Sequence, residues 1–193
     1  MKNSLGDYLL DRTESLNDEL ILKYFINHND EKINRLLDSE QYLLEGSRGV
    51  GKTMLMKTAM LKSSLEFGKN NILPVWISFE ESIRIERISV VDNSIDPFLQ
   101  WTMGKILAET LIKLKELKPA CISELNFKLD KIFGTTSENN LEKYSILLED
   151  YLGILERADI KDNTELQQKL PYHEIRNILD NPQSFKKFLQ ELI

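Results

Sequence analysis

The sequence has a single cysteine and no long apolar run. Cys121 has no second cysteine with which to form an internal disulfide, which favours a reducing compartment such as the cytoplasm. Its neighbours Ala120 and Ile122 indicate a small buried hydrophobe rather than a nucleophile. No stretch approaches the roughly 18 apolar residues of a membrane span, and the N-terminus shows no signal-peptide pattern. We therefore expect a soluble cytoplasmic protein without a membrane partner.

Basic residues are fewer than acidic ones. The 25 Lys and Arg residues against 31 Asp and Glu give a net charge of −6. This balance argues against binding nucleic acid over the whole surface, although it leaves room for a local basic patch. The lysines between 113 and 118 are interspersed with acid and indicate a solvated helix end. The sequence therefore neither excludes nucleic acid as a partner nor contains a basic cluster that would indicate it.

Three of the eight glycines lie in one stretch that has a specific pattern. Residues 46–53 read G-S-R-G-V-G-K-T and fit G-x-x-x-x-G-K-[ST], the phosphate-binding loop or Walker A motif. Glycines let backbone N–H groups approach an anion, and a helix starting near Gly51 adds its N-terminal amides. Lys52 supplies a charge for the β and γ phosphates, and the Thr53 hydroxyl is a hard oxygen ligand for Mg²⁺. No Asn/Thr-Lys-x-Asp guanine-reading element accompanies the loop, which favours ATP.

We therefore predict ATP and Mg²⁺ as cofactors, with Lys52 as the catalytic residue and Thr53 as the metal ligand. The predicted cofactor-binding residues are Gly46, Ser47, Arg48, Gly49, Val50, Gly51, Lys52, Thr53 and Met54.

The flanks of this loop indicate an α/β fold. The apolar run 41–45 has the length of a buried strand, and residues 54–62 lack Gly and Pro and favour a helix. A second strand is predicted at 72–79, which is rich in β-branched and aromatic residues and has Pro74 near its start. The prediction is an α/β P-loop NTPase, a parallel sheet with flanking helices, helix-rich and truncated before the Walker B strand.

The rest of the chain has helical patterns. Asn17 and Asp96 are placed to cap helices, and Asp96-Pro97 opens a long helix that Pro119 ends. Further helices are predicted at 120–133, 141–157, 172–179 and 183–193. The predicted domains are a helical lead-in (1–40), a nucleotide-binding core (41–118) and a helical insertion or subdomain (119–193). In the lead-in, residues 24–26 (Tyr-Phe-Ile) either contact adenine or pack only on the core.

A hydrolysing P-loop enzyme needs a second acidic motif at the end of a strand. The segment 146–150 has suitable letters but helical spacing, which argues against that role. Glu80, at the end of the second predicted strand, either lies near the metal or is simply solvated. We expect the Walker B strand to lie outside this chain, which would make residues 1–193 the N-terminal part of a longer ATPase.

Residues 42–56 read Y-L-L-E-G-S-R-G-V-G-K-T-M-L-M. This segment resembles the loop of AAA+ and STAND-type ATPases, above all that of bacterial origin-recognition-complex-like AAA ATPases. The resemblance covers about residues 16–114, and the helical stretch 119–193 departs from the family pattern. It implies an oligomeric ATP hydrolase that switches or assembles a protein effector, in antiviral or other bacterial defence or in DNA-associated processes. The alternative is an ATP-binding interaction module without hydrolysis. A kinase is disfavoured because kinases of this size usually have a lid with several arginines. Here Arg84 and Arg87 are the only arginine pair nearby. For residues 1–193 we expect ATP binding with hardly any hydrolysis.

Overall fold

The computed structural model describes residues 16–24, 30–38, 42–47, 49–80, 82, 85, 88, 96–133, 140–157, 161–162, 164, 173–179 and 181–192. The chain divides into two compact units, Met1–Pro74 and Val75–Ile193. Each unit has its own set of packed helices. The boundaries predicted at residues 40 and 118 stay predictions.

The first unit contains helices α1 (Asp18–Tyr24), α2 (Asp30–Leu37), α3 (Lys52–Leu65) and α4 (Phe67–Asn70). Helix α1 begins as the sequence predicts, because the Asn17 side chain accepts a hydrogen bond from the Leu20 N–H at 2.9 Å. Helices α1 and α2 both pack on α3. Ile21 of α1 and Ile33 of α2 are almost completely buried. The lead-in helices therefore help to hold the helix that follows the glycine-rich loop.

Helix α3 buries two hydroxyl side chains, Thr58 and Ser63, alongside Ala59 and Leu61. The Thr58 hydroxyl donates to the Met54 carbonyl at 2.8 Å, and the Ser63 hydroxyl donates to the Ile72 carbonyl at 3.1 Å. Both buried polar groups are thus hydrogen-bonded, as burial requires. Leu65, the last residue of this helix, is 75 % exposed.

The second unit contains α5 (Pro97–Leu117), a short 3-10 helix (Pro119–Cys121), α6 (Ile122–Phe133), α7 (Asn140–Leu155), α8 (His173–Leu179) and α9 (Pro182–Leu192). Helix α5 packs on α7, α8 and α9, and α6 packs on α7 and α9. Trp101, Leu129 and Tyr151 are fully buried in this core. Asp96 caps α5 as predicted, since its carboxylate accepts from the Phe98 N–H at 2.9 Å. The helices predicted after residue 96 are confirmed to within a few residues.

The predicted parallel sheet is wrong for the part of the chain that the structure describes. Residues 42–47 and 71–79 have no regular secondary structure, and the described elements are all helical. Strands need neighbouring strands to satisfy their backbone groups. At residue 72 other groups take that role: the Ile72 carbonyl accepts from Ser63, and its N–H donates to the Asn70 side chain. Leu43, expected in a buried strand, is 81 % exposed. An apolar run alone does not supply a pairing partner.

One further expectation is resolved by the helices. Glu149 and Asp150, which have the letters of a Walker B motif, lie exposed on α7, so the helical spacing predicted there is confirmed. Within the described ranges, no helix combines the length and apolarity needed to traverse a membrane.

Candidate phosphate-binding site

The glycine-rich loop leads directly into helix α3. The helix begins at Lys52 with Gly51 as its N-cap, and no side chain caps it. The first N–H groups of an α-helix have no acceptor within the helix. Together with the positive end of the helix dipole, they form a site that favours an anion. The sequence predicted this start near Gly51, and the structure confirms it.

All three glycines of the loop have a positive φ that disfavours a side chain, with Gly49 at 87°. Gly51 has a φ of 84°, in the left-handed region that side chains with a Cβ disfavour. Gly46 has a φ of 153°, and a Cβ placed there would lie 3.0 Å from Val50 Cγ2 and 4.0 Å from Lys52 Nζ. A side chain at position 46 would therefore crowd Val50, whereas its distance to Lys52 is an ordinary contact. These are physical reasons for glycine at the first and last glycine positions of the motif.

Lys52 reaches back across the loop. Its Nζ donates to the Gly46 carbonyl at 2.6 Å and to the Ser47 carbonyl at 3.0 Å. An ammonium group has three donors, so two hold the loop in shape and the third can bind a further acceptor. The charge of Lys52 is thereby placed beside the N-terminus of α3, where a bound phosphate would need it.

The remaining predicted binding residues are distributed over the loop and the first turn of α3. Ser47, Gly49 and Val50 are exposed, and Thr53 and Met54 are half-buried in the first turn. Arg48 lies outside the described residues, as do residues 25–26 and the side chain of Tyr24, which were considered as adenine contacts. The described loop is open to solvent, as access of a nucleotide requires.

The donors of this loop fit a magnesium nucleotide. The glycine at position 46 leaves the loop free of a crowding Cβ, the Lys52 ammonium supplies a positive charge, and α3 supplies uncapped N–H groups. Thr53, next to Lys52, would offer a hydroxyl oxygen, the kind of ligand that Mg²⁺ takes alongside several waters. Residues 46–53 would hold the phosphates and Thr53 the metal. The role of each residue stays a prediction.

Glu80 belongs to the second unit and is exposed. It lines a cleft of about 260 Å³ together with Trp76, Ile77, Ser78, Lys105 and Glu109. This cleft could not be found from the sequence, because Lys105 and Glu109 lie more than twenty positions from the other lining residues. A metal role for Glu80 gains no support from this cleft. Among the described residues, no group of three or more His, Cys, Asp or Glu side chains is arranged to hold a metal ion.

Comparison with known families found a match within the first unit. Residues 9–74 match the ORC-CDC6-like family model. The matched segment contains the glycine-rich loop and α1 to α4, about a third of the chain. This part of the chain is therefore similar to ORC-CDC6-like proteins. No curated protein and no solved structure gave a significant match.

Proposed function

We propose that residues 46–53 bind the triphosphate of ATP together with Mg²⁺, and that the chain acts as an ATP-binding module of the ORC/CDC6-like type. The observation that carries this proposal is the position of Lys52, whose ammonium bridges the Gly46 and Ser47 carbonyls beside an uncapped helix N-terminus. Backbone donors, one cation and a hydroxyl ligand for the metal are the groups that phosphate recognition in such loops requires. The family match over residues 9–74 supports the same ligand.

In this proposal each group has a separate role. The first N–H groups of α3 hold phosphate oxygens, and the third donor of Lys52 binds the terminal phosphate. The Thr53 hydroxyl would hold Mg²⁺, and the bound cation would supply positive charge next to the phosphates. In this proposal Lys52 would also act in hydrolysis when water and an acidic group are aligned with the terminal phosphate.

The finer assignments are part of the proposal. A switch or assembly role, self-association and an effector protein follow from the resemblance to AAA+ and STAND ATPases, as do bacterial defence and DNA-associated processes. The alternative module, which holds ATP without hydrolysing it, uses the same loop. Comparing nucleotide binding with phosphate release separates the two.

Isothermal titration calorimetry tests the proposal with ATP and Mg²⁺ on residues 1–193. We expect one binding site per chain. Lys52→Ala is expected to lower the ATP affinity at least roughly a hundredfold, because the variant loses a charge-assisted contact to phosphate and the hydrogen bonds from Lys52 to the loop carbonyls. Lys69→Ala is the matched control: Lys69 is an exposed lysine in the same unit, on α4, and its loss changes the net charge equally.

Two results would contradict the proposal. The first is an absence of magnesium-dependent ATP binding by a chain whose circular dichroism shows folded helices. The second is an equal loss of affinity in Lys52→Ala and Lys69→Ala, which would indicate a general charge effect rather than a phosphate site.

A further inference from the structure

Helix α6 exposes a large aromatic residue on its outer side. Phe127 is 68 % exposed, whereas Leu125 and Leu129, two positions to either side, are buried. Two positions along an α-helix correspond to a rotation of about 200°. Phe127 is therefore turned away from the core that α6 shares with α7 and α9. A single exposed aromatic is ordinary on a protein surface, so its surroundings decide whether it has a role.

Phe127 lies in a groove whose other described lining residues are charged. The groove has a volume of about 660 Å³ and is lined by Glu124, Phe127, Lys128 and Lys131 of α6 and by Glu191 of α9. Lys128 Nζ donates to the Leu192 carbonyl at 3.1 Å and lies 3.6 Å from Glu124 Oε1. These contacts attach α6 to the C-terminal end of α9 and give the groove a fixed wall. An apolar centre with a charged rim is the usual anatomy of a protein contact.

The charges on α6 are complementary to those of a second α6 helix that runs antiparallel to it. Glu124 and Lys131 are seven residues apart and lie on one face, with Phe127 between them. In an antiparallel pair of α6 helices centred between Phe127 and Lys128, Glu124 of each copy faces Lys131 of the other. Phe127 of each copy then faces the aliphatic stem of Lys128. Antiparallel helices also oppose their dipoles favourably.

We propose that this surface, defined as the α6 face (Glu124, Phe127, Lys128 and Lys131), binds the same surface of a second copy of the chain about a two-fold axis. A two-fold contact requires a patch that is complementary to itself, and the acid–aromatic–base order of the α6 face meets that requirement. A partner with charge of one sign would meet both favourable and unfavourable charges on this face. The proposal concerns the second unit and does not depend on nucleotide binding at residues 46–53.

Sedimentation equilibrium of residues 1–193 without nucleotide tests this proposal over a wide concentration range. One helix face per copy buries less than the roughly 1,200 Å² of a standard stable interface, so we expect a weak, reversible dimer. Phe127→Ala is expected to raise the dissociation constant at least roughly tenfold, because it removes the apolar centre.

Charge reversal gives the sharper test. Glu124→Lys and Lys131→Glu are each expected to abolish self-association, because like charges then face each other twice. An equal mixture of the two variants should form a mixed dimer, because each contact then joins an acid of one chain to a base of the other. Glu149→Lys makes the same charge change at an exposed site on α7 and should leave the dissociation constant unchanged. Circular dichroism verifies that each variant is folded.

A wild-type chain that stays monomeric at all concentrations overturns the proposal. So does a dimer whose dissociation constant is unaffected by Phe127→Ala and by both charge reversals, because such a dimer uses another surface. Failure of the two charge variants to associate when mixed would exclude the antiparallel register.

Discussion

Among single residues, Trp101 shows how one buried polar atom links two parts of the second unit. Its side chain is fully buried, and its Nε1 donates to Glu156 Oε1 at 2.8 Å. The same carboxylate oxygen lies 3.0 Å from Lys105 Nζ. Lys105 and Glu156 are about three-quarters buried, so this ion pair is better shielded than one on the open surface. Glu156, the residue that follows the end of α7, is thus joined to α5 by both contacts.

We expect Glu156→Ala to destabilise the protein by about 1–3 kcal/mol, because the buried indole N–H of Trp101 loses its acceptor. Glu156→Gln retains an amide oxygen that can accept this hydrogen bond and should cost less. Denaturant unfolding followed by circular dichroism measures both changes. Glu142→Ala, which removes an exposed acid on α7, is the control and should have little effect. Equal losses in Glu156→Ala and Glu156→Gln would show that the hydrogen bond to Trp101 is not the cause.

The loop residues show how far a local pattern determines a site. The spacing of Gly46, Gly51 and Lys52 predicts the loop, the helix start and the charge, because these features depend on fewer than ten consecutive residues. The sequence did not indicate that the Gly46 and Ser47 carbonyls would accept from Lys52. That contact depends on how the backbone turns, which the identity of Ser47 does not determine.

For the helices, the contact between α5 and α7 depends on a position without a side chain. A Cβ at Gly104 would lie 2.9 Å from Leu152 Cδ2 and 3.6 Å from Leu179 Cδ1. Both leucines are buried, so they have little space into which to move. Gly153, the neighbour of Leu152 on α7, has no atom within 4 Å of the corresponding position. The two helical glycines therefore have different roles.

We expect Gly104→Ala to lower the free energy of unfolding, by up to about 2.5 kcal/mol. Overpacking in a core costs about 1–3 kcal/mol, which exceeds the gain of about 0.5–1 kcal/mol from replacing a helical glycine. Gly153→Ala has only that gain and should stabilise the protein. Thermal and denaturant unfolding of the two variants measure the difference. A stabilisation by Gly104→Ala equal to that by Gly153→Ala would contradict the close contact.

Among the features of the helices, the sequence predicted their boundaries best. Asn17 and Asp96 accept from backbone N–H groups two or three positions later, and Asn181 does the same for Ser184 at the start of α9. Capping depends on residues within one turn, so it is visible in the sequence. The face that a helix buries depends on its neighbours, which explains why α3 buries Ser63 and exposes Leu65.

At the scale of the whole chain, we expect residues 1–193 to bind ATP with hardly any turnover. Phosphate binding needs the loop and α3, whereas hydrolysis also needs an aligned water and an acidic group. The acids considered for that role, Glu149 and Asp150, lie on α7, and Glu80 lines the cleft beside Lys105.

A phosphate-release assay under saturating ATP and Mg²⁺ measures this expectation. Release of about one phosphate per second or more, a rate typical of enzymes, would contradict it. Lys52→Ala identifies the background: release that persists in this variant comes from a contaminant rather than from the loop.

The sequence by itself determined the glycine-rich loop, the helix starts and most helix bounds, because each depends on residues close together along the chain. It did not determine whether residues 41–45 and 72–79 would pair, since pairing requires partners that an apolar run does not specify. Tertiary structure likewise decided the hydrogen bonds from Lys52 to two loop carbonyls. It also decided the groove between α6 and α9. In the groove, Lys128 reaches the Leu192 carbonyl 64 positions away, a contact that no local periodicity encodes.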